Sequence, residues 1–326
     1  MSEKKIRVVV AGVGEFGRNH VRVWSSLEDV ELLGIVDSNA DRARQIALEF
    51  GTRALPDLDA LLAARVDAVS VAVPTKQHTT VGCKLLDAGI DVLVEKPMAA
   101  SLEEADRLIT AAQRSGRILQ VGHVERFNPA VAAAQRIISR PMFFEVHRLG
   151  IFTPRSLDID VVYDVMIHDL DILLSLVRSP VTDLRAVGIP VITDKVDIAH
   201  ARIEFETGAV ANVTASRVST ERVRKVRFFQ EHEYISLDFA RQDALRIRVQ
   251  PGSPQGVGFE KLAAEPEEPL KVELRAFADS VRTRKAPMVD GHAGRQALAL
   301  ADRVMASILE HARRVQLEAF TPQASR

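Results

Sequence analysis

The chain has a single cysteine, Cys83, so no internal disulfide can staple it. Its setting in the apolar-patterned TTVGCKLLDAG fits a buried structural thiol better than a nucleophile. An excess of charge is also missing. The 43 lysines and arginines stand against 44 aspartates and glutamates, a net charge of -1, which provides no basic field for nucleic acid or an anionic membrane. No run of ~18 uninterrupted apolar residues occurs, which excludes a spanning helix. The opening MSEKKIRVVVAG lacks the longer apolar core and small-residue cleavage site of a signal peptide, so a cytoplasmic protein is expected. Internal repeats and low-complexity linkers are absent as well.

What is present is an ordinary globular composition, 47% hydrophobic and 27% charged, over 326 residues. At about 150 residues per domain this length predicts two domains. From Ile6 to about Val121, β-rich runs (IRVVVAG, ELLGIVD, DAVSVAV, DVLVEKP, RILQVGH) alternate with segments of helical period, which predicts βαβ units on a parallel, doubly wound sheet of Rossmann type. One covering helix is legible in detail. Ser101 and Glu104 make a capping box, Leu102, Ala105, Leu108, Ile109 and Ala112 form one apolar stripe, and Gly116 terminates it.

The alternation stops near residue 125, and the expected domains are 1–124 and 125–326. VERFNPAVAAAQRIISR reads as a loop entering a helix with Pro129 in its first turn. PMFFEVHRLG, a helix through VVYDVMIHDLDILLSLV, and six closely spaced strand candidates (DLRAVGIPV, VDIAHARIEF, AVANVTASRV, VRKVRFFQ, EYISLDF, ALRIRVQ) follow. Consecutive strands predict an α+β domain on an open, antiparallel or mixed sheet. The tail from Leu270 is mainly helical and is assigned to this second domain.

The first strand ends in Gly12-Val13-Gly14-Glu15-Phe16-Gly17, a GxGxxG between a strand and a helix. Gly12 permits the tight turn, Gly14 lets the backbone approach a pyrophosphate, Gly17 allows close helix packing, and the helix N-terminus at Glu15 and Phe16 offers unpaired N–H groups. The competing reading is a glycine-rich turn with no ligand. Asp37 closes the second strand, twenty positions after Gly17, where a carboxylate accepts from the adenosine ribose hydroxyls and repels a 2′-phosphate, favouring NAD over NADP. Asp37 is equally consistent with capping the next helix, as are Ser38 and Asn39.

DVLVEKP ends in Glu95-Lys96-Pro97 at the carboxyl edge of the sheet, where doubly wound folds bind ligands. A lysine there reaches a bound ring and can donate to an oxygen on which charge develops. A cis bond at Pro97 would fix its direction, and a surface loop lysine is the alternative. Asp164, His168 and Asp171 fall at i, i+4 and i+7 of one helix, so carboxylates could orient an imidazole acting as general base. A surface charge network, a buried satisfied histidine and metal ligands are the other readings. Metal is the least of these, since hydride transfer from a secondary alcohol to NAD needs none. Pro74, Thr75, Gln77 and His78 follow a strand end and are candidates for the nicotinamide pocket or a helix start. His123, Glu125, Arg126 and Asn128 follow another and are candidate substrate contacts. Arg148, Arg155 and Arg217 are candidates for a substrate pyrophosphate. His20 and five other histidines have no motif around them.

AGVGEFGRNH, VAVPTKQH, VEKP, VGHVERFNP and YDVMIHDLD, in this order and spacing, resemble the glucose-fructose oxidoreductase / inositol dehydrogenase / MocA family over nearly the whole chain. The resemblance implies a nicotinamide-dependent oxidoreductase with Lys96 and His168 as the catalytic pair and Asp164 as partner of the substrate or histidine. It also implies an open sheet whose face commonly builds dimers or tetramers. Met166 stands where many members carry glycine, which implies a reshaped pocket. GHVERFNP is most similar to bacterial members that oxidise the 3-hydroxyl of UDP-N-acetylglucosamine for an aminotransferase of lipid A assembly.

Overall fold

The computed structural model describes residues 5–154, 157–250, 256–262 and 266–317. Chain contacts divide it into two units, one reaching Phe127 and including Glu268–Arg295, the other formed by Asn128–Glu267 and the residues from Gln296 onward. No helix among the described residues is long and apolar enough to cross a membrane.

In the first unit β1 (Ile6–Ala11), β2 (Val30–Val36), β3 (Ala68–Val71), β4 (Asp91–Glu95) and β5 (Leu119–Gly122) form one parallel sheet in the order β2-β1-β3-β4-β5. These are the five strands expected from the apolar runs. β3 is buried throughout and β4 at every residue but Glu95, as strands covered on both faces must be. The order reverses beside β1, so the loops after β1 and β3 diverge and leave a crevice at the carboxyl edge.

The helix Leu102–Ser115 forms for the reasons its sequence gives. Ser101 Oγ accepts from Glu104 N at 3.2 Å, and Gly116 closes the helix at φ +63°. Glu104 Oε2 reaches back one residue further than a standard capping box, to Ala100 N at 3.2 Å.

The later helix Pro269–Thr283 corrects the expected division of the chain. It was assigned with the whole tail to the second domain, but Leu274, Phe277, Ala278 and Val281 lie in the hydrophobic cluster of the first sheet. Phe277 packs edge-on against Trp24, with ring centroids 6.4 Å apart. Helical period shows which face of a segment is apolar, not which of two cores receives it.

Among the described residues the second unit holds eight strands: β6 (Phe143–Leu149), β7 (Val181–Ile189), β8 (Ile198–Phe205), β9 (Val210–Ser216), β10 (Val223–Gln230), β11 (Glu233–Asp238), β12 (Asp243–Val249) and β13 (Val257–Leu262). Their order is β13-β12-β11-β10-β6-β9-β8-β7, antiparallel throughout except the parallel pair β6·β9. Alternate residues of β6, β8, β9 and β10 are buried, so one face of the sheet carries the core and the other stays open. Ala130, Val131, Ile167, Leu170, Leu173 and Ile308 from the unit's helices join that core.

Because Trp24 is the sole tryptophan and is buried in the first unit, its fluorescence reports that unit's unfolding. Phe277→Ala is expected to destabilise it by about 3–5 kcal/mol. Urea titration followed at Trp24 checks this, and an unchanged midpoint would detach the helix from the first core.

Candidate active site

The crevice of the first unit begins at the glycine loop. Gly12 sits at φ +86°, and a Cβ on it would lie 2.6 Å from the Ala72 backbone, while a Cβ on Gly17 would lie 1.8 Å from Gly12 O. Those two glycines are required by the protein's own packing. Gly14 differs, since a Cβ there would meet nothing within 4 Å. The helix Glu15–Ser25 starts at Gly14 with no side-chain cap. An uncapped helix N-terminus beside a bare glycine fits a dinucleotide pyrophosphate. Glu15 and Phe16 are exposed on the first turn.

Asp37 follows β2 and turns its carboxylate back to this loop, with Oδ2 accepting from Val13 N and Oδ1 from Asn39 N, each at 2.8 Å. The capping alternative is thereby resolved. Asn39 caps the helix Ala40–Glu49 by accepting from Arg42 N at 3.0 Å, and Ser38 is exposed. Asp37 fixes the loop.

After β3, exposed Pro74 precedes the helix Thr75–Asp87, again without a side-chain cap, with Thr75 half-buried and Gln77 exposed. His78 is buried, its Nε2 2.8 Å from Val73 O and its Nδ1 3.0 Å from Pro97 O. Burial lowers its pKa more than those backbone bonds raise it. Expected as a cofactor contact, His78 is instead buried between the ends of two loops, where its neutral ring donates its one N–H to one of these carbonyls at a time.

After β4, Glu95 is nearly buried, Lys96 is half-buried, and the Lys96–Pro97 peptide is cis. Glu95 Oε1 lies 2.9 Å from His20 Nε2 and Oε2 accepts from Lys96 N at 3.2 Å. Burial pushes this carboxyl up, but the hydrogen bond from His20 and the nearby charges of His20, Lys96 and His78 outweigh it and hold it below the usual carboxylate range. His20 is the residue the sequence reading passed over. The available signal was its phase, since it shares the buried face of its helix with Val21 and Trp24, where a polar side chain must find a partner. After β5, His123 and Glu125 are buried and Arg126 is half-buried in the turn Val124–Phe127.

In the second unit the expected continuous α-helix is broken. Val162–Met166 is a π turn, and the α-helix runs from Ile167 to Val177. Asp164 therefore sits on the wider turn and His168 on the first α-helical turn, so the simple i, i+4 register does not describe the pair. Both are half-buried, whereas Asp171 is buried. Tyr163 OH donates to Asp302 at 2.7 Å, and burial followed by that carboxylate raises its pKa. Met166 is fully buried in the core, which removes it as a pocket-shaping residue.

Three expected anion or substrate contacts are also corrected. Arg148 is buried and holds Asp169 through Nε and Nη2, both at 2.8 Å, with its guanidinium 5.3 Å from the Phe239 ring centroid. Arg217 is buried against Asp197 at 2.7 Å and donates to Ile159 O at 2.6 Å. Asn128 accepts from Ala130 N at 3.1 Å as a helix cap and donates to Phe239 O at 3.2 Å. Each meets its hydrogen-bonding needs inside the fold. Arg155 lies outside the described residues. Among the described residues no cluster of three or more His, Cys, Asp or Glu is arranged to hold a metal ion.

The profile described as "Oxidoreductase family, NAD-binding Rossmann fold" matches residues 6–123, and that of the "GFO/IDH/MocA C-terminal domain" matches residues 139–235. The chain is 40% identical, over 97% of its length and 98% of the relative's, to UDP-N-acetylglucosamine 3-dehydrogenase of Acidithiobacillus ferrooxidans. It is 29% identical to scyllo-inositol 2-dehydrogenase (NAD(+)) of Bacillus subtilis, over 88% and 89% of the two chains. A solved structure of the Acidithiobacillus enzyme matches with a TM-score of 0.88 at 39% identity, covering 93% of this chain and 97% of that one. Levoglucosan dehydrogenase in complex with NADH and levoglucosan shares the fold alone, with a TM-score of 0.86 at 19% identity over 94% and 98%.

Gly14→Ala is expected to leave stability within about 0.5 kcal/mol, because its methyl enters open space, and to weaken NAD binding about tenfold or more. Calorimetric titration with NAD beside thermal unfolding separates the two effects; equal affinity would remove the loop from the cofactor site. Arg148→Ala strands Asp169 in the core and is expected to cost about 3–5 kcal/mol of stability. A variant that unfolds normally yet loses affinity for an anionic sugar would return Arg148 to the substrate set.

Proposed function

From its membership of the Gfo/Idh/MocA oxidoreductase family, we propose that this chain uses NAD to oxidise a secondary hydroxyl of a sugar, the 3-hydroxyl of UDP-N-acetylglucosamine foremost. The observation that carries the substrate is the likeness to the Acidithiobacillus dehydrogenase, which runs through both units and spans nearly the whole of each chain. A 3-keto nucleotide sugar would suit an aminotransferase as the next enzyme, in keeping with lipid A assembly. Self-association into a homodimer or homotetramer belongs to the same reading, through the open sheet face where Phe143 stacks on Phe229 at 5.6 Å.

The residues divide the work by unit. Gly12, Gly14 and Gly17 with the first turn at Glu15 and Phe16 hold the pyrophosphate, Asp37 and Ser38 face the adenosine ribose, and Pro74 and Thr75 border the ring. Bound NAD supplies the hydride acceptor. Asp37 favours NAD over NADP, because a 2′-phosphate there would meet a carboxylate. Lys96 donates to the substrate oxygen and stabilises its negative charge as the C–H bond weakens. His168 takes the hydroxyl proton, with Asp164 holding either the imidazole or a neighbouring hydroxyl. His123 and Arg126 border the substrate. With Arg148 and Arg217 committed to internal carboxylates, the phosphates of a nucleotide sugar fall to Arg126 and Arg155.

The test is NADH absorbance on mixing the protein with NAD and UDP-N-acetylglucosamine, with a scavenger of 3-keto product, beside free N-acetylglucosamine, glucose and myo-inositol. Signal only with the nucleotide sugar is expected. Turnover of a free polyol would move the chain to the inositol and free-sugar dehydrogenases, and silence in every well despite NAD binding would favour a regulator that binds both ligands. Lys96→Ala and His168→Ala should each lower kcat by about 10²-fold or more with NAD still bound; near-normal turnover in both would sink these roles.

A further inference from the structure

The Glu95 carboxylate occupies a socket made by three elements. His20, from the helix Glu15–Ser25, places Nε2 2.9 Å from Oε1. Lys96 N donates to Oε2 from the end of β4. On the third side is Gly122 at the end of β5, where a Cβ would lie 2.9 Å from Oε1 and 3.0 Å from Cδ, so the carboxylate rests on bare backbone. His20 is 1% exposed and its Nδ1 is buried with no hydrogen-bond partner among the described residues, so the bond to Glu95 is the ring's one polar tether there. Downstream, His78 faces the carbonyl of Pro97. The turn that carries Lys96 is thus braced by a buried histidine on each side.

We propose that His20 is a positioning residue for the reaction: it fixes the Glu95 carboxylate on β5 and thereby the path on which Lys96 leaves β4. The inference rests on the reading of Lys96 as the group that polarises the substrate oxygen. Burial drives a carboxylate in this socket toward the neutral acid, and the donor on Oε1 is the largest of the effects that oppose it. Once neutral it would accept less strongly from Lys96 N and cease to attract the ammonium. The titratable groups facing it are His20, Lys96 and His78, and His20 makes a side-chain hydrogen bond to it.

The experiment compares His20→Ala, His20→Gln and Glu95→Gln in the full chain. A glutamine Nε2 reaches about as far as the imidazole Nε2 and can donate to Oε1. Three quantities are measured: NAD affinity by calorimetry, kcat and KM with UDP-N-acetylglucosamine, and the pH dependence of Lys96 acylation by acetic anhydride, read by mass spectrometry without substrate. His20→Ala is expected to lower kcat on the order of 10- to 100-fold, with NAD affinity and KM within about threefold of wild type. Its Lys96 acylation profile should depart from that of wild type, because the turn that places the ammonium is released. Glu95→Gln should match it and His20→Gln should recover most of both losses. An unchanged acylation profile in His20→Ala overturns the proposal, as does a fall in kcat matched by a fall in NAD affinity. Should His20→Ala fail to fold, Glu95→Gln and His20→Gln decide by the same criteria. Should no sugar be oxidised by the wild type, the functional reading fails while the acylation profile still decides the role of His20.

Discussion

The close approach of Gly17 to Gly12 governs the first unit. With a Cβ excluded at Gly17 by the Gly12 carbonyl, and another excluded at Gly12 by the chain after β3, the helix Glu15–Ser25 can begin at only one height above the sheet. That height settles two things together. It leaves the helix N-terminus without a side-chain cap at Gly14, where an anion gains from the helix dipole. It also sets the phase of the helix, so that the buried face brings His20 onto Glu95 and Trp24 onto Ser70, the indole donating to Oγ at 2.9 Å. The glycine loop and the turn that carries Lys96 are therefore built on one element, and a shift at the glycines would be felt at Glu95 through His20.

The second unit achieves the same rigidity by burying charge. Arg148 on β6 grips Asp169 by two parallel hydrogen bonds, and Asp169 adjoins His168, so the sheet holds the first turn of the helix Ile167–Val177 from below. Tyr163 to Asp302 holds the preceding π turn from its other end. A buried ion pair contributes little net stability against an apolar replacement, but its geometry tolerates no slippage, because a displaced partner leaves an uncompensated charge. Asp197 does comparable work in the loop after β7, accepting from Val191, Ile192 and Thr193 N and from Arg217. Its carboxyl is held well below the usual range because, although burial raises it, these donors outweigh the effect. Arginines that would serve an anionic substrate from the surface are spent here on keeping a candidate base and its surroundings in place.

How much of this could be read beforehand depended on whether the determining contact was local. Five parallel strands, the glycine loop and the capped helix after Ser101 were legible because each is written in short-range pattern: apolar runs, a fixed spacing, a capping box. The strand β13 was missed for the converse reason, since Val257–Leu262 lies on a sheet edge, is exposed at three of its six positions and offers neither alternation nor an apolar run. The roles of Arg148, Asn128, His78 and His20 lay outside the sequence as well. Each is decided by a partner that only the fold supplies: 21 residues away for Arg148 and Asp169, 111 for Asn128 and Phe239, 75 for His20 and Glu95. The break in register at Val162–Met166 was equally invisible, because a π turn carries the same apolar content as the α-helix it interrupts.

The division of labour between the units bears on why one architecture serves several sugars. Levoglucosan dehydrogenase retains the fold at 19% identity, so what has persisted is backbone placement and not side-chain identity in general. Hydride chemistry makes the same demands whatever the sugar: an anion cradle, a cation near the developing alkoxide and a base for the proton. Under the proposed reading the first two demands fall to β1, β4 and their loops, whose partners (Asp37, His20, Glu95, Gly122) all lie within the first unit. None of those contacts depends on the substrate. Under the proposed reading, selection among sugars must then come from residues that can change without disturbing the sheet edge, so a change of sugar would be sought away from the residues around Lys96.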